Sequence, residues 1–255
     1  MPALMSPTFY LIAAPVVFLF SGLTAMAGVG AAFLFVPFFF YLGVPLAEAA
    51  PAGLLLNAVS LSLATLNYWR GHLIDWRVAL PVGAIAVVFA PIGARLTPHV
   101  DKTTLLMLFA VFLAFAGAMM LFYRSQERVQ DASARKVWLV GAGVGGAAGF
   151  IGGLLGVGGG NIIVPALNWL GLDAKRAAAT GAVAVVFSSL SGFLAHATFG
   201  RMDTTFLGIM ALMAAGGSLA GSQFMKEKLS GSQLKKIIGV VLWLVAAKMF
   251  FDVFK

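Results

Sequence analysis

Two ten-residue stretches of this sequence could do chemistry with their backbone alone. They are Gly28-Val29-Gly30-Ala31-Ala32-Phe33-Leu34-Phe35-Val36-Pro37 and Gly156-Val157-Gly158-Gly159-Gly160-Asn161-Ile162-Ile163-Val164-Pro165, and the second follows the first at an offset of 128 residues. In each, small residues (Gly28, Gly30 and Ala31; Gly156, Gly158, Gly159 and Gly160) stand where an apolar helix should begin. The first N–H groups of a helix have no partner within it and lie at the positive end of its dipole, so such a start is a ready site for an anion. A missing Cβ lets a ligand come close to the backbone. The competing role for the same glycines is close packing of helices in a membrane. Neither stretch is a phosphate loop or a dinucleotide fingerprint, because no β-strand pattern precedes it and no Lys-Ser/Thr follows it.

Side chains that could complete an anion shell without full charge are few. Asn161 lies inside the second stretch, and its counterpart is Phe33, so the two copies are not chemically equal. Asn57 and Ser60 fall in the middle of one long apolar segment, and Ser188 and Ser189 in the middle of another. Serines there can equally bond to a neighbouring helix or to the carbonyl one turn back. An amide has more hydrogen-bonding positions to satisfy, which makes Asn57 harder to explain as packing. His196 and Glu48 are the candidates for proton carriage or gating. His196 lies one turn from a helix end and has Tyr68 as its counterpart, so an interfacial structural role competes. None of the other carboxylates falls mid-segment, and Arg70, Arg95 and Arg201 lie at helix ends. No nucleophile–base pair and no metal-ligand spacing is visible: His72, His99 and His196 are far apart, and there is no cysteine. The sequence thus implies no catalytic residue, no metal and no cofactor.

The elements that must position these residues are apolar and membrane-sized. Of 255 residues, 61% are hydrophobic and 10% charged, with a mean hydropathy of +0.98. That composition excludes an ordinary soluble domain, and runs of about 20 apolar residues match the thickness of a bilayer core. The net charge of +8 would suggest nucleic acid in a soluble protein, but here the cations sit in short loops, as the positive-inside rule expects. Segments are predicted at 8–27, 31–42, 46–69, 77–95 and 102–123, then at 137–155, 159–170, 174–199, 204–224 and 234–252. The second five repeat the first five. Leu42-Gly43 matches Leu170-Gly171, Gly53 matches Gly181, Ser60 matches Ser188, Asp75 matches Asp203 and Gly93 matches Gly221, all at the one offset. The division is therefore an N-terminal repeat (1–123), a connector (124–136) and a C-terminal repeat (137–255).

Segments 31–42 and 159–170 are too short to cross. Twelve helical residues rise about 18 Å, roughly half a bilayer, and Pro37 and Pro165 are expected to bend or break them. Each is read as a half-helix paired with the preceding segment in a hairpin. If each hairpin leaves on the side it entered, one side collects Arg70, Arg77, Arg124, Arg128, Arg135, Lys136, Lys175, Arg176, Lys226, Lys228, Lys235 and Lys236. The other keeps Arg95, Lys102, Arg201 and Lys255. That asymmetry predicts two inverted repeats with both termini outside the cytoplasm.

The duplicated Gly-Val-Gly-x-x-x-x-x-Val-Pro motif, the following Leu-Gly-x-x-x-x-x-Ala-Ala-x-x-Gly and the chain length together resemble the TauE/SafE family of bacterial membrane permeases. The match is strongest at 28–53 and 156–181, with one departure: Ala31-Ala32 stands where the second copy has Gly159-Gly160. The resemblance implies an all-α, multi-pass protein of the bacterial inner membrane that exports sulfite or an organosulfonate such as sulfoacetate. The bilayer and a small anion are then its partners, and nucleic acid is not. A passive channel for a small anion is the alternative reading. A homodimer is compatible with the sequence, which contains no argument for one.

Overall fold

A computed structural model describes residues 7–122, 134–196, 203–227 and 231–253. The described residues form an all-helical bundle: α1 (Pro7–Ala27), α2 (Ala32–Tyr41), α3 (Leu46–Arg70), α4 (Trp76–Leu96), α5 (Lys102–Phe122), α6 (Ala134–Leu155), α7 (Gly160–Trp169), α8 (Ala174–His196), α9 (Thr204–Glu227) and α10 (Gly231–Val253). The repeat is visible in the boundaries. The starts of α7, α8 and α9 fall 128 residues after those of α2, α3 and α4. Most of the expected connector, and Arg201 with the loop around it, lie outside the described residues.

Six helices are long and apolar enough to cross a membrane: Phe9–Ala27, Leu46–Arg70, Trp76–His99, Lys102–Phe122, Ala174–His196 and Thr204–Gln223. Large apolar side chains such as Leu11, Val111, Leu194 and Leu244 point outward, where hydrocarbon rather than water suits them. The chain is a multi-pass membrane protein. Lipid supplies little hydrophobic drive between helices, so close approach of small residues must hold them together. Between α4 and α6 this is explicit. A Cβ added to Gly145, Gly149 or Gly153 would press on the carbonyls of Val82, Ala86 and Ala90, three contacts one turn apart and in one register. Gly217 and Gly221 of α9 meet the carbonyls of Phe18 and Gly22 in α1 in the same way.

These registers fix directions. α1 runs parallel to α9, and α4 parallel to α6. α3 is parallel to α9, since the hydroxyl of Ser218 donates to the carbonyl of Ser60 and Asn67 Nδ2 donates to Ser222 Oγ. α3 and α8 are antiparallel: Asn57 faces Ser189, and one turn earlier Leu54 faces Gly192. At one end of the bundle Arg176 pairs with Asp75 at 3.9 Å; at the other, Tyr41 Oη donates to Asp252 at 3.0 Å.

Four of the nine carboxylates act at helix starts. Asp75, Asp101, Asp173 and Asp203 accept from main-chain N–H groups of the first turns of α4, α5, α8 and α9. Hydrogen bonds from Thr104, first its hydroxyl and then its amide, hold the Asp101 carboxyl below its ordinary value. The half-helices α2 and α7 have ten residues each, about 15 Å of rise. Both run on through Pro37 and Pro165, so neither proline breaks its helix. Buried ring packing surrounds the first of them, with Phe39 meeting Phe206 at 5.2 Å.

Candidate functional site

The two glycine stretches are breaks in helix, as their composition predicts. Gly28, Gly30, Gly156, Gly158 and Gly159 all have φ between 66° and 76°, a left-handed backbone that side chains resist. The turns differ at equivalent positions. The residue before α2 is Ala31 at φ −113°, whereas the residue before α7 is Gly159 at φ 76°. The departure seen in the sequence is thus a real change of backbone hand.

The turns meet in the interior. A Cβ on Gly160 would collide with the carbonyl of Val29, so the amino ends of α2 and α7 abut across the two halves. The outer glycines have another task. Gly28 lies on the backbone of Ala178 in α8, and Gly156 lies on Ala50 in α3, a pair of contacts related by the same offset. For these two, close packing is the observed reason for glycine. Gly159 is held against Ala148, and Gly30 against the Asn57 amide.

Asn57 is the hub. Fully buried on α3, it accepts through Oδ1 from Ala31 N at 2.7 Å and Ala32 N at 3.3 Å, and donates through Nδ2 to Ser189 Oγ at 2.9 Å. It therefore caps the open end of α2 from a neighbouring helix and ties it to the other half. Ser188 Oγ lies 3.1 Å from the carbonyls of both Gly158 and Val185, to either of which it can donate. Ser60, its counterpart, has a buried hydroxyl with no partner among the described residues. The amide of Asn161, 2% exposed, likewise has neither atom partnered there. The structure therefore gathers Gly30, Ala31, Asn57, Gly158, Ser188 and Ser189 at one place and sets Gly160 on the same turn pair. Glu48 is apart from it, half-buried in the first turn of α3.

His196 is also away from the hub. Its Nε2 donates to the carbonyl of Gly153 at 2.9 Å. Its counterpart Tyr68 donates through Oη to the carbonyl of Ala25, and Ala25 is the counterpart of Gly153. The repeat offset contains this relation, but residue type hides it. Sequence reasoning also missed the α3–α9 bonds of Asn67 with Ser222 and of Ser218 with Ser60; a weak signal was the spacing of small polar residues along α9.

The electrostatics follow from what surrounds this place. Two helix ends, each carrying about half a positive charge, converge where no carboxylate stands among the described residues. Such a centre suits a small oxyanion better than a cation. Groups of three or more His, Cys, Asp or Glu able to hold a metal are absent among the described residues.

The chain is similar to known membrane proteins. Over 236 residues the chain is 25% identical to a "Probable membrane transporter protein" of Methanocaldococcus jannaschii, covering 86% of this chain and 87% of that one. A protein of the same description from Haemophilus influenzae is 25% identical over 249 residues, covering 89% and 93%. One from Bacillus subtilis is 31% identical over 117 residues, 44% of this chain and 41% of its own. No solved structure matches. The family model described as "Sulfite exporter TauE/SafE" matches residues 13–249, so the chain belongs to the TauE/SafE family and is a membrane transporter.

Proposed function

We propose that this protein is a non-enzymatic secondary transporter of the bacterial inner membrane that exports a small oxyanion, sulfite or an organosulfonate such as sulfoacetate. The observation that carries the reading is the abutment of the amino ends of α2 and α7, Gly160 on Val29, at a centre free of carboxylates among the described residues. The passenger sits at these converging amide ends, with Asn57, Asn161 and Ser188 around it. The antiparallel α3–α8 pair supports a reading of the halves as inverted repeats, which rock against each other to expose the centre to each side in turn. The membrane potential favours efflux of an anion by about 2.3 kcal/mol per charge per 100 mV. With its cation-rich loops in the cytoplasm, the chain places both termini in the periplasm.

A proteoliposome assay tests this. Labelled sulfite or sulfoacetate loaded inside leaves faster than from protein-free vesicles, saturates, and is accelerated by unlabelled anion outside. Equal rates with and without protein reject the substrate class. Flux without saturation or trans-stimulation rejects a carrier in favour of a passive channel.

A further inference from the structure

The duplicated centre is not used twice. At α2 the open N–H groups of Ala31 and Ala32 are already filled by Asn57 Oδ1. At α7, among the described residues, no acceptor meets the N–H groups of Gly159, Gly160 or Asn161. The counterpart of Asn57 on α8 is Val185, whose side chain offers no acceptor; its Cγ1 stands 3.4 Å from where a Cβ on Gly158 would be. An aliphatic side chain therefore occupies the place from which an amide would cap α7.

A second, independent observation marks the same end. The side chain of Asn161 is buried, and both its Nδ2 and its Oδ1 lack a partner among the described residues. A helical Cα–Cβ bond tilts toward the helix amino end, so an amide in the first turn of α7 leans over the turn that precedes it. Leaving two amide atoms buried and unbonded costs free energy unless something else meets them.

On the anion-transport reading above, we infer that the centre has a single working half. The amino end of α7 takes the oxyanion on the N–H groups of Gly160 and Asn161 and on Asn161 Nδ2, while Asn57 is the fixed stand-in for an anion at α2. Asn161 Oδ1 is left for a water or a hydrogen-bearing atom of the same passenger. The first half has become scaffold, and the second carries the load.

The test supplies the missing cap. Val185→Asn should close the α7 end as Asn57 closes that of α2, and Asn161→Ala removes the side-chain ligand without adding bulk. Purified full-length wild type and both variants are titrated with sodium sulfite and with sulfoacetate, by calorimetry and by thermal shift in detergent. Wild type binds one anion per chain. Val185→Asn melts no lower than wild type in the absence of anion, yet needs at least about tenfold more anion for the same protection, as does Asn161→Ala. Two anions per wild-type chain, or wild-type affinity in both variants, overturns the single-half assignment alone. Should Val185→Asn fail to fold, Asn161→Ala and the wild-type stoichiometry still decide. No binding of either anion by wild type overturns the anion reading and this assignment with it.

Discussion

Tyr68 and His196 occupy equivalent places in the two halves and perform one task. Each closes the end of a third helix onto a carbonyl in the last turn of the first helix of its own half, Ala25 for Tyr68 and Gly153 for His196. A phenol and an imidazole share little chemistry beyond a ring and a hydrogen-bond donor, so the donor is what the position requires. This relation bears on coupling, because His196 is buried at the end of a membrane-spanning helix.

If His196 is a pin, His196→Tyr should keep both stability and transport, copying the other half. His196→Phe should lower stability by about 1 kcal/mol through one unmet carbonyl and one lost interhelical bond. Melting in detergent and flux in proteoliposomes measure the two effects. A histidine that carries protons removes the difference in flux, with both substitutions equally inactive.

Gly158 is a tight point of the centre. A Cβ there would lie 2.5 Å from Asn57 Nδ2 and 2.6 Å from Ser189 Oγ, on a backbone at φ 76°. Gly158→Ala therefore adds about 1–2 kcal/mol of backbone strain and displaces the Asn57–Ser189 bond. Gly158→Val should abolish transport while the protein still inserts, because the apolar segments that direct insertion are unchanged. Gly143, whose added Cβ would meet nothing within 4 Å, is the control, and Gly143→Ala should transport normally. Transport retained in Gly158→Val would remove the glycine turn from the mechanism.

Much of this was legible beforehand, and the limits are physical. Helix existence and the single offset followed from apolar run length and from glycine, which are backbone properties. Asn57 was read as a ligand because a buried amide needs partners. The sequence could not say that Ala31 and Ala32, 26 and 25 residues away, supply them. The serine pair shows the same limit. Ser60 and Ser188 are equivalent by register, yet of the two only Ser188 finds acceptors for its hydroxyl among the described residues. Of the two effects expected of proline, a break does not occur: Pro37 and Pro165 lie within helices only ten residues long and do not end them.

Asp101 gives a pH-dependent prediction outside the membrane. Its folded-state value is depressed, chiefly by the hydroxyl of Thr104 and then by its amide, so the ionised carboxylate is the form that caps α5. A depressed carboxylate contributes stability above its unfolded value, about 3.9, and loses it as pH falls through the folded value. Asp101→Ala should therefore melt below wild type at pH 7, and the gap should close as pH falls below about 4. A gap of constant size down to pH 2.5 would show that charge plays no part in this cap.

Sidedness can be read directly, because the chain has no cysteine to interfere. Arg77 in the first turn of α4 and Thr103 in the first turn of α5 are exposed at opposite ends of α4 and its following turn. Arg77 belongs to the cation-rich side and Thr103 to the cation-poor side. In intact spheroplasts, Thr103→Cys should react with a membrane-impermeant maleimide and Arg77→Cys should react only after permeabilisation. The reverse labelling pattern would put the cation-rich loops outside and overturn the assignment of both termini to the periplasm, while the pull of the membrane potential on the anion, outward in either orientation, would be unchanged.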